Sequence, residues 1–141
     1  MIKEIVKDEE FLSQPAEPAT AEDAAVAQDL VDTMLSMHDD CACLAANQIG
    51  VNKAIIAFDD GDKGKISVMY NPRIKNAMKP YGALEGCLSL DRETPAKRYE
   101  LIMVAYEVLV DGKLVAKTRK LTGWTAEIVQ HAIDHTKGIL V

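Results

Sequence analysis

The stretch Trp124-Thr125-Ala126-Glu127-Ile128-Val129-Gln130-His131-Ala132-Ile133-Asp134-His135-Thr136-Lys137 decides how the rest of the chain is read. Ile128, His131, Ala132 and His135 recur at helical spacing on one face, which predicts a helix from Trp124 to Lys137. Thr122 or Thr125 can cap its start and Gly138 can close it. His131 and His135 are four apart and stand one above the other on that face. Two imidazoles so placed can grip one metal ion, the mechanical content of the His-Glu-x-x-His hydrolase motif. In that motif the residue after the first histidine is a glutamate that serves as general base toward water. Here it is Ala132. Of the three histidines, His38, His131 and His135, two fall in this one turn, so a ligand pair is a better reading than chance. A face that is apolar apart from two imidazoles points inward, toward the bottom of a cleft.

Working outward, Leu101–Val110 and Lys113–Lys120 flank Asp111-Gly112, the strongest hairpin signal in the chain. Ala54–Phe58 and Ile66–Tyr70 form a second predicted hairpin across the polar run Asp59–Gly64. Asn71-Pro72 is expected to end that second strand, with a glycine-containing loop leading to Glu85. Thr20 with Asp23 resembles a capping box opening an amphipathic helix from Ala21 to Met37. Its stripe of Val26, Leu30, Met34 and Met37 is expected in the core. Met1–Val6 reads as a strand or extended arm, and Pro15 and Pro18 mark a loop. The pattern predicts a single α+β domain over residues 1–141, with mixed, mostly antiparallel strands packed around the C-terminal helix.

At 141 residues and 48% hydrophobic content, the chain is long enough for one core and short for two. Sixteen Lys and Arg against 22 Asp and Glu give a net charge of −6, which argues against a nucleic-acid or anionic-membrane binder. No window approaches the ~20 apolar residues of a membrane span. Met1-Ile2-Lys3-Glu4 does not open a signal peptide, so a cytoplasmic location is expected. Three cysteines, Cys41, Cys43 and Cys87, fit reduced thiols with one as a ligand better than a disulfide framework.

Asp39–Gly50 is dominated by small residues, so a ligand or a neighbouring segment can approach its backbone closely. Cys41-Ala42-Cys43 without a second pair is a weak metal signal, and close packing of small side chains explains it as well. Gln48 is the one long polar group there, either a strand-end surface residue or a donor aimed into a site.

Three segments carry a resemblance. Cys41–Gly50 is similar to Gly-x-Gly-x-Ala-Ala-x-Gln-Ile-Gly, Glu85–Leu90 matches Glu-Gly-Cys-Leu-Ser, and Gln130–His135 is similar to Gln-His-Glu-x-Asp-His. In this order, and over nearly the whole chain, they resemble the peptide deformylase family. The resemblance implies that Cys87, His131 and His135 hold one divalent metal ion, Fe2+ first, with Zn2+, Ni2+ or Co2+ as substitutes. A Cys-His-His set leaves a fourth position open, as catalytic sites do. Gln48 and the backbone N–H of Leu88 would hold the formyl oxygen as it gains charge. Glu85 would orient a ligand histidine. Cys43, Gly86 and Leu88 would line the cleft for an N-formylmethionyl peptide laid alongside a strand. The implied activity is removal of the formyl group from nascent chains at the ribosome in a bacterial cytoplasm. A monomer or weak homo-oligomer is implied, with no nucleic acid or membrane as partner.

The departures matter equally. Ala132 stands at the place of the general base, and losing general acid–base assistance costs ~10²–10⁴-fold, so turnover is expected to be severely impaired. The alternative is a catalytically inactive, metal-binding paralogue that binds formylated or acylated peptides. A structural zinc protein is a third reading, favoured only if Cys41 or Cys43 completes a four-ligand shell. Glu127, one turn before His131, is a carboxylate that could compensate, although an acid in a first helical turn is also good helix chemistry. Cys41 and Cys43 replace the first motif's two glycines, adding strain or narrowing the cleft. Asn47 replaces a proline and Thr136 a leucine. Changes spread over several motifs are the pattern of natural divergence rather than of one engineered substitution.

Overall fold

The computed structural model describes residues 1–37, 41–61, 65–90 and 92–141. His38, the Asp39-Asp40 start of the small-residue stretch and residues 62–64 at the end of the Asp59–Gly64 run lie outside the described residues. Five strands form one sheet in sequential order: β1 (Cys43–Ala45), β2 (Ile55–Asp59), β3 (Ile66–Glu85), β4 (Thr94–Val110) and β5 (Lys113–Thr122). Every neighbouring pair is antiparallel. The only parallel pairing among the described residues is an isolated bridge between Glu17 and Lys53.

The sheet is covered on both faces. In β2, Ile56 and Phe58 pack with Ala126, Val129 and Ile133 of α3 (Gly123–Thr136), while Ile55 and Ala57 pack with Leu30 and Met34 of α2 (Ala24–Ser36). Side chains alternate across a strand, so a strand sandwiched between helices must be apolar at successive positions, and Ile55–Phe58 is fully buried. A short helix α1 (Glu9–Leu12) lies ahead of α2.

The amphipathic helix opens as expected: Thr20 and Asp23 form a reciprocal capping box, with a 3-10 turn over Ala21–Asp23 before α2. Asp111 (φ 50°) and Gly112 (φ 78°) both lie in the left-handed region that a two-residue hairpin turn requires. Met1–Val6 is an extended arm, and the Val6 N–H donates to the Gln48 carbonyl at 2.8 Å.

Two expectations fail together. Asn71-Pro72 does not end a strand, and no loop leads to Glu85, because β3 runs unbroken from Ile66 to Glu85. Two irregularities of register, between Tyr70 and Arg73 and between Ile74 and Asn76, absorb the disruption. A bulge leaves an unpaired position where proline's missing N–H does no harm. Asn71 takes φ 50°, and its side chain accepts from the Ala19 N–H at 2.7 Å and donates to Glu107 at 2.7 Å. Its partner β4 likewise begins at Thr94, seven residues before the predicted Leu101. The long β3–β4 ribbon delivers Glu85 and Arg98 to α3.

Candidate metal centre and cleft

Helix α3 is fixed by side chains that bond its neighbours' backbones. Gln130 accepts from the Tyr99 N–H at 2.9 Å and donates to the Tyr99 carbonyl at 2.8 Å, pinning the helix to β4. At its far end the Gly138 N–H donates to His135 O and the Ile139 N–H to Asp134 O. Gly138 sits at φ 78°, and a Cβ there would meet Ser13 O at 2.4 Å, so only glycine fits.

His131 and His135 then present their Nε2 atoms to each other at 3.1 Å, and His135 Nε2 lies 3.3 Å from Cys87 Sγ. The three ligand atoms lie within 4.8 Å of one another. Cys87 arrives just past the end of β3, because Glu85 closes that strand beside α3. His131 Nδ1 lies 2.8 Å from the Glu85 carboxylate, which holds a proton on Nδ1 and turns Nε2 toward Cys87 and His135, so that Nε2 is the atom free to ligate once a metal displaces its proton. Three soft or borderline donors, two from α3 and one from just past β3, form a set fit for one divalent ion. Among the described residues this is the only such group, and neither Cys41 nor Cys43 joins it. Cys41 Sγ turns instead to the Cys43 carbonyl at 3.3 Å. Among the described residues, therefore, nothing completes the four-ligand cysteine and histidine shell that a structural zinc site needs.

Burial alone would raise the Cys87 thiol, but hydrogen bonds from His131 and His135 outweigh it and bring it down to about 5. The ligand is a thiolate at neutral pH, the form that binds metals. Cys41, by contrast, is pushed up to about 11 by burial and stays an inert thiol. For Glu85, burial again works upward, and the bonds from His131 and Arg98 overcome it, taking the carboxyl down to about 2.

Arg98 is the group that sequence reasoning missed. It is 3% exposed and forks onto Glu85 through Nε at 2.9 Å and Nη2 at 2.6 Å, while Nη1 reaches Asp134 at 2.6 Å. The chain Arg98–Glu85–His131 orients the imidazole from behind. The available signal was indirect: a Glu85 and an Asp134 that both turn inward require a buried cation, and arginine alone can serve two carboxylates.

Gln48 is not a surface residue. It is 3% exposed, in a short 3-10 turn (Ala46–Ile49) after β1. The Ala45 N–H donates to its Oε1 at 2.9 Å, which leaves Nε2 to face Cys87 Sγ at 3.4 Å and Ser89 Oγ at 3.2 Å. Cys43, Gln48, Gly86, Cys87, Leu88 and His131 all line one open cleft of about 640 Å³. Glu127, Trp124 and Ile128 of α3 line it too, as does Cys41. Ala132 does not: its methyl is fully buried in the α3–sheet core.

An α+β fold that brings a thiolate and two histidines together at a cleft, with a fixed amide donor alongside, defines a metal-dependent hydrolase. The sequence comparisons agree. Residues 2–141 match the family model described as polypeptide deformylase, and the chain belongs to the peptide deformylase family. A peptide deformylase of Clostridium beijerinckii is 45% identical over 141 residues, covering all of both chains. The crystal structure of a peptide deformylase from Legionella pneumophila matches with a TM-score of 0.85 at 31% identity, covering 99% of this chain and 83% of that one. A class I type b peptide deformylase from Acinetobacter baumannii, solved with Met-Ala-Ser bound, matches with a TM-score of 0.85 at 26% identity, covering 99% of this chain and 97% of that one. No helix among the described residues is long and apolar enough to cross a membrane.

Proposed function

We propose that residues 1–141 act as one domain that takes the formylated N-terminus of a nascent chain and removes its formyl group slowly. The convergence of Cys87, His131 and His135 beside the Gln48 amide carries this reading. The preferred ion is Fe2+, which suits one thiolate and two imidazoles, as zinc, nickel and cobalt also do. When bound, the metal supplies Lewis acidity toward the formyl carbonyl and toward water. Cys87, His131 and His135 hold it, and Glu85, braced by Arg98, keeps His131 in the ligating tautomer. Gln48 Nε2 and the Leu88 N–H stabilise the formyl oxygen as charge develops, the Gln48 donor being aimed beforehand by Ala45. Cys43, Gly86 and Leu88 flank the peptide where it lies in the cleft beside β1 and the end of β3.

The proton is the weak point. A carboxylate reaching from position 132 into the cleft would take it from water and hand it to the departing amine, and the buried methyl of Ala132 does neither. The nearby carboxylates are already engaged: Glu85 by Arg98 and His131, and Glu127 by Tyr81 at 2.8 Å. This favours, as a second reading, a paralogue that binds formylated or acylated peptides without turnover. Anaerobic iron-loaded protein tested with formyl-Met-Ala-Ser, acetyl-Met-Ala-Ser and Met-Ala-Ser separates the two. The first reading predicts selective binding of the formyl peptide and slow release of formate, ~10²–10⁴-fold below an enzyme with the base. Binding without any formate supports the second. Equal binding of all three peptides overturns both. The reading carries with it a cytoplasmic location near the ribosome, where formylated nascent chains arise.

A further inference from the structure

Glu127 is a carboxylate without a cation. It is half-buried on the wall of the cleft, and Tyr81 Oη donates to one of its oxygens at 2.8 Å. Among the described residues it makes no ion pair, and no lysine or arginine lines the cleft. Arg98, whose charge reaches Glu127 without pairing with it, is committed to Glu85 and Asp134. Burial and the neighbouring Glu85 both raise the Glu127 carboxyl, with the Tyr81 bond and the charge of Arg98 opposing them. Such a group gains from a positive charge brought to it.

Its surroundings suit a particular kind of cation. Trp124 lies three residues earlier on the same helical face, lines the same cleft and is 64% exposed. Leu84, 62% exposed, lines it from the end of β3. An exposed aromatic face and an apolar rim beside a carboxylate fit a long alkyl stem that ends in a positive head. Position argues against a role at the reacting atoms. A helical side chain leans toward the N-terminus, so Glu127 projects a turn away from His131. It approaches Glu85, on the Nδ1 side of the His131 ring, whereas the ligating Nε2 faces the other way.

We propose that Glu127 and Trp124 form a recognition element for a lysine or arginine side chain near the start of the bound peptide. The proposal rests on the reading of this cleft as the peptide site. The test uses iron-loaded protein and the fluorescence of Trp124, the chain's single tryptophan. Formyl-Met-Lys-Ala and formyl-Met-Ala-Lys are compared with their glutamine counterparts, and acetyl-Lys-Ala amide with acetyl-Gln-Ala amide. At least one lysine peptide is expected to bind about fivefold more tightly than its glutamine counterpart at low salt. Added salt shrinks that preference, and Glu127→Gln abolishes it while leaving the glutamine peptides unchanged. Equal binding of the lysine and glutamine peptides overturns the proposal. So does a Glu127→Gln loss shared by all peptides, or a fall in kcat with KM unmoved, which would make Glu127 a substitute base. If lysine preference persists without any benefit from the formyl group, the recognition element stands and the deformylase reading of the cleft falls. If no peptide binds, both fall.

Discussion

Arg98→Met should be the most damaging single change that leaves every proposed metal ligand in place. The guanidinium is 3% exposed and makes three short bonds to Glu85, one of 2.6 Å, plus a 2.6 Å bond to Asp134. Methionine fills similar space but strands the Glu85 carboxylate with only His131 as a partner. Breaking a buried pair by removing one member costs about 3–5 kcal/mol, because the survivor stays desolvated and unpaired. A chain of this length loses stability at about 0.3 kcal/mol per degree near its midpoint, so the melting temperature should fall by about 10–17 °C. The damage should also reach the metal. Glu85 no longer holds His131 Nδ1 firmly, and loss of such an orienting partner weakens metal affinity about 10–100-fold. Urea unfolding gives the first quantity, and competition against a chromophoric chelator gives the second. Arg98→Lys should fall between, since it keeps the charge and loses the fork. A loss below about 1 kcal/mol with unchanged metal affinity would refute the reasoning, because the Arg98–Glu85–His131 chain would then be ornamental.

Other consequences follow from the same geometry. Gly138→Ala should cost more than about 2 kcal/mol in urea unfolding, since φ 78° and the approach of Ser13 O both oppose a Cβ. Gln48→Leu should leave metal affinity within a few-fold of the parent yet slow formate release by ~10²–10³-fold, as removing one oxyanion donor does. In chelator-stripped protein, Glu85 contributes stability that is full above its ordinary 4.5 and is lost as pH falls toward about 2. His131, pushed up to about 9 because its bonds to Cys87 and Glu85 outweigh burial, contributes below 6.5 and loses that contribution as pH rises through about 9. Glu85→Gln should therefore lower neutral stability and flatten the acid limb of a pH series of urea midpoints. Ala132→Glu places a carboxylate at a fully buried position, so it should lower the stripped protein's stability by several kcal/mol and recover part of that when metal is added.

What could be read from sequence divides along a physical line. The helix carrying His131 and His135 was legible because its period and Gly138 agree locally, although Thr122 at its start makes no capping bond through its side chain. The Asp111-Gly112 hairpin was legible for the same reason. Strand β3 was misread at Asn71-Pro72, since a bulge that tolerates proline depends on the opposite strand, which no local pattern reveals. Gln48 could not be assigned from its neighbours alone, because its orientation is set by the Ala45 N–H and by residues 39 and 41 positions away. Arg98 was invisible for a related reason: its two acids lie 13 and 36 residues away along the chain. Residues that hold a site together from behind are long-range partners, and only the fold introduces them.

The central claim is that the site is built and lacks only its proton carrier. Its most direct test is formate release from formyl-Met-Ala-Ser by anaerobically iron-loaded parent and Ala132→Glu proteins, matched for metal content. The account predicts a slow parent and a variant faster by ~10²-fold or more. A parent as fast as or faster than Ala132→Glu, with both proteins folded and fully metallated, would contradict it.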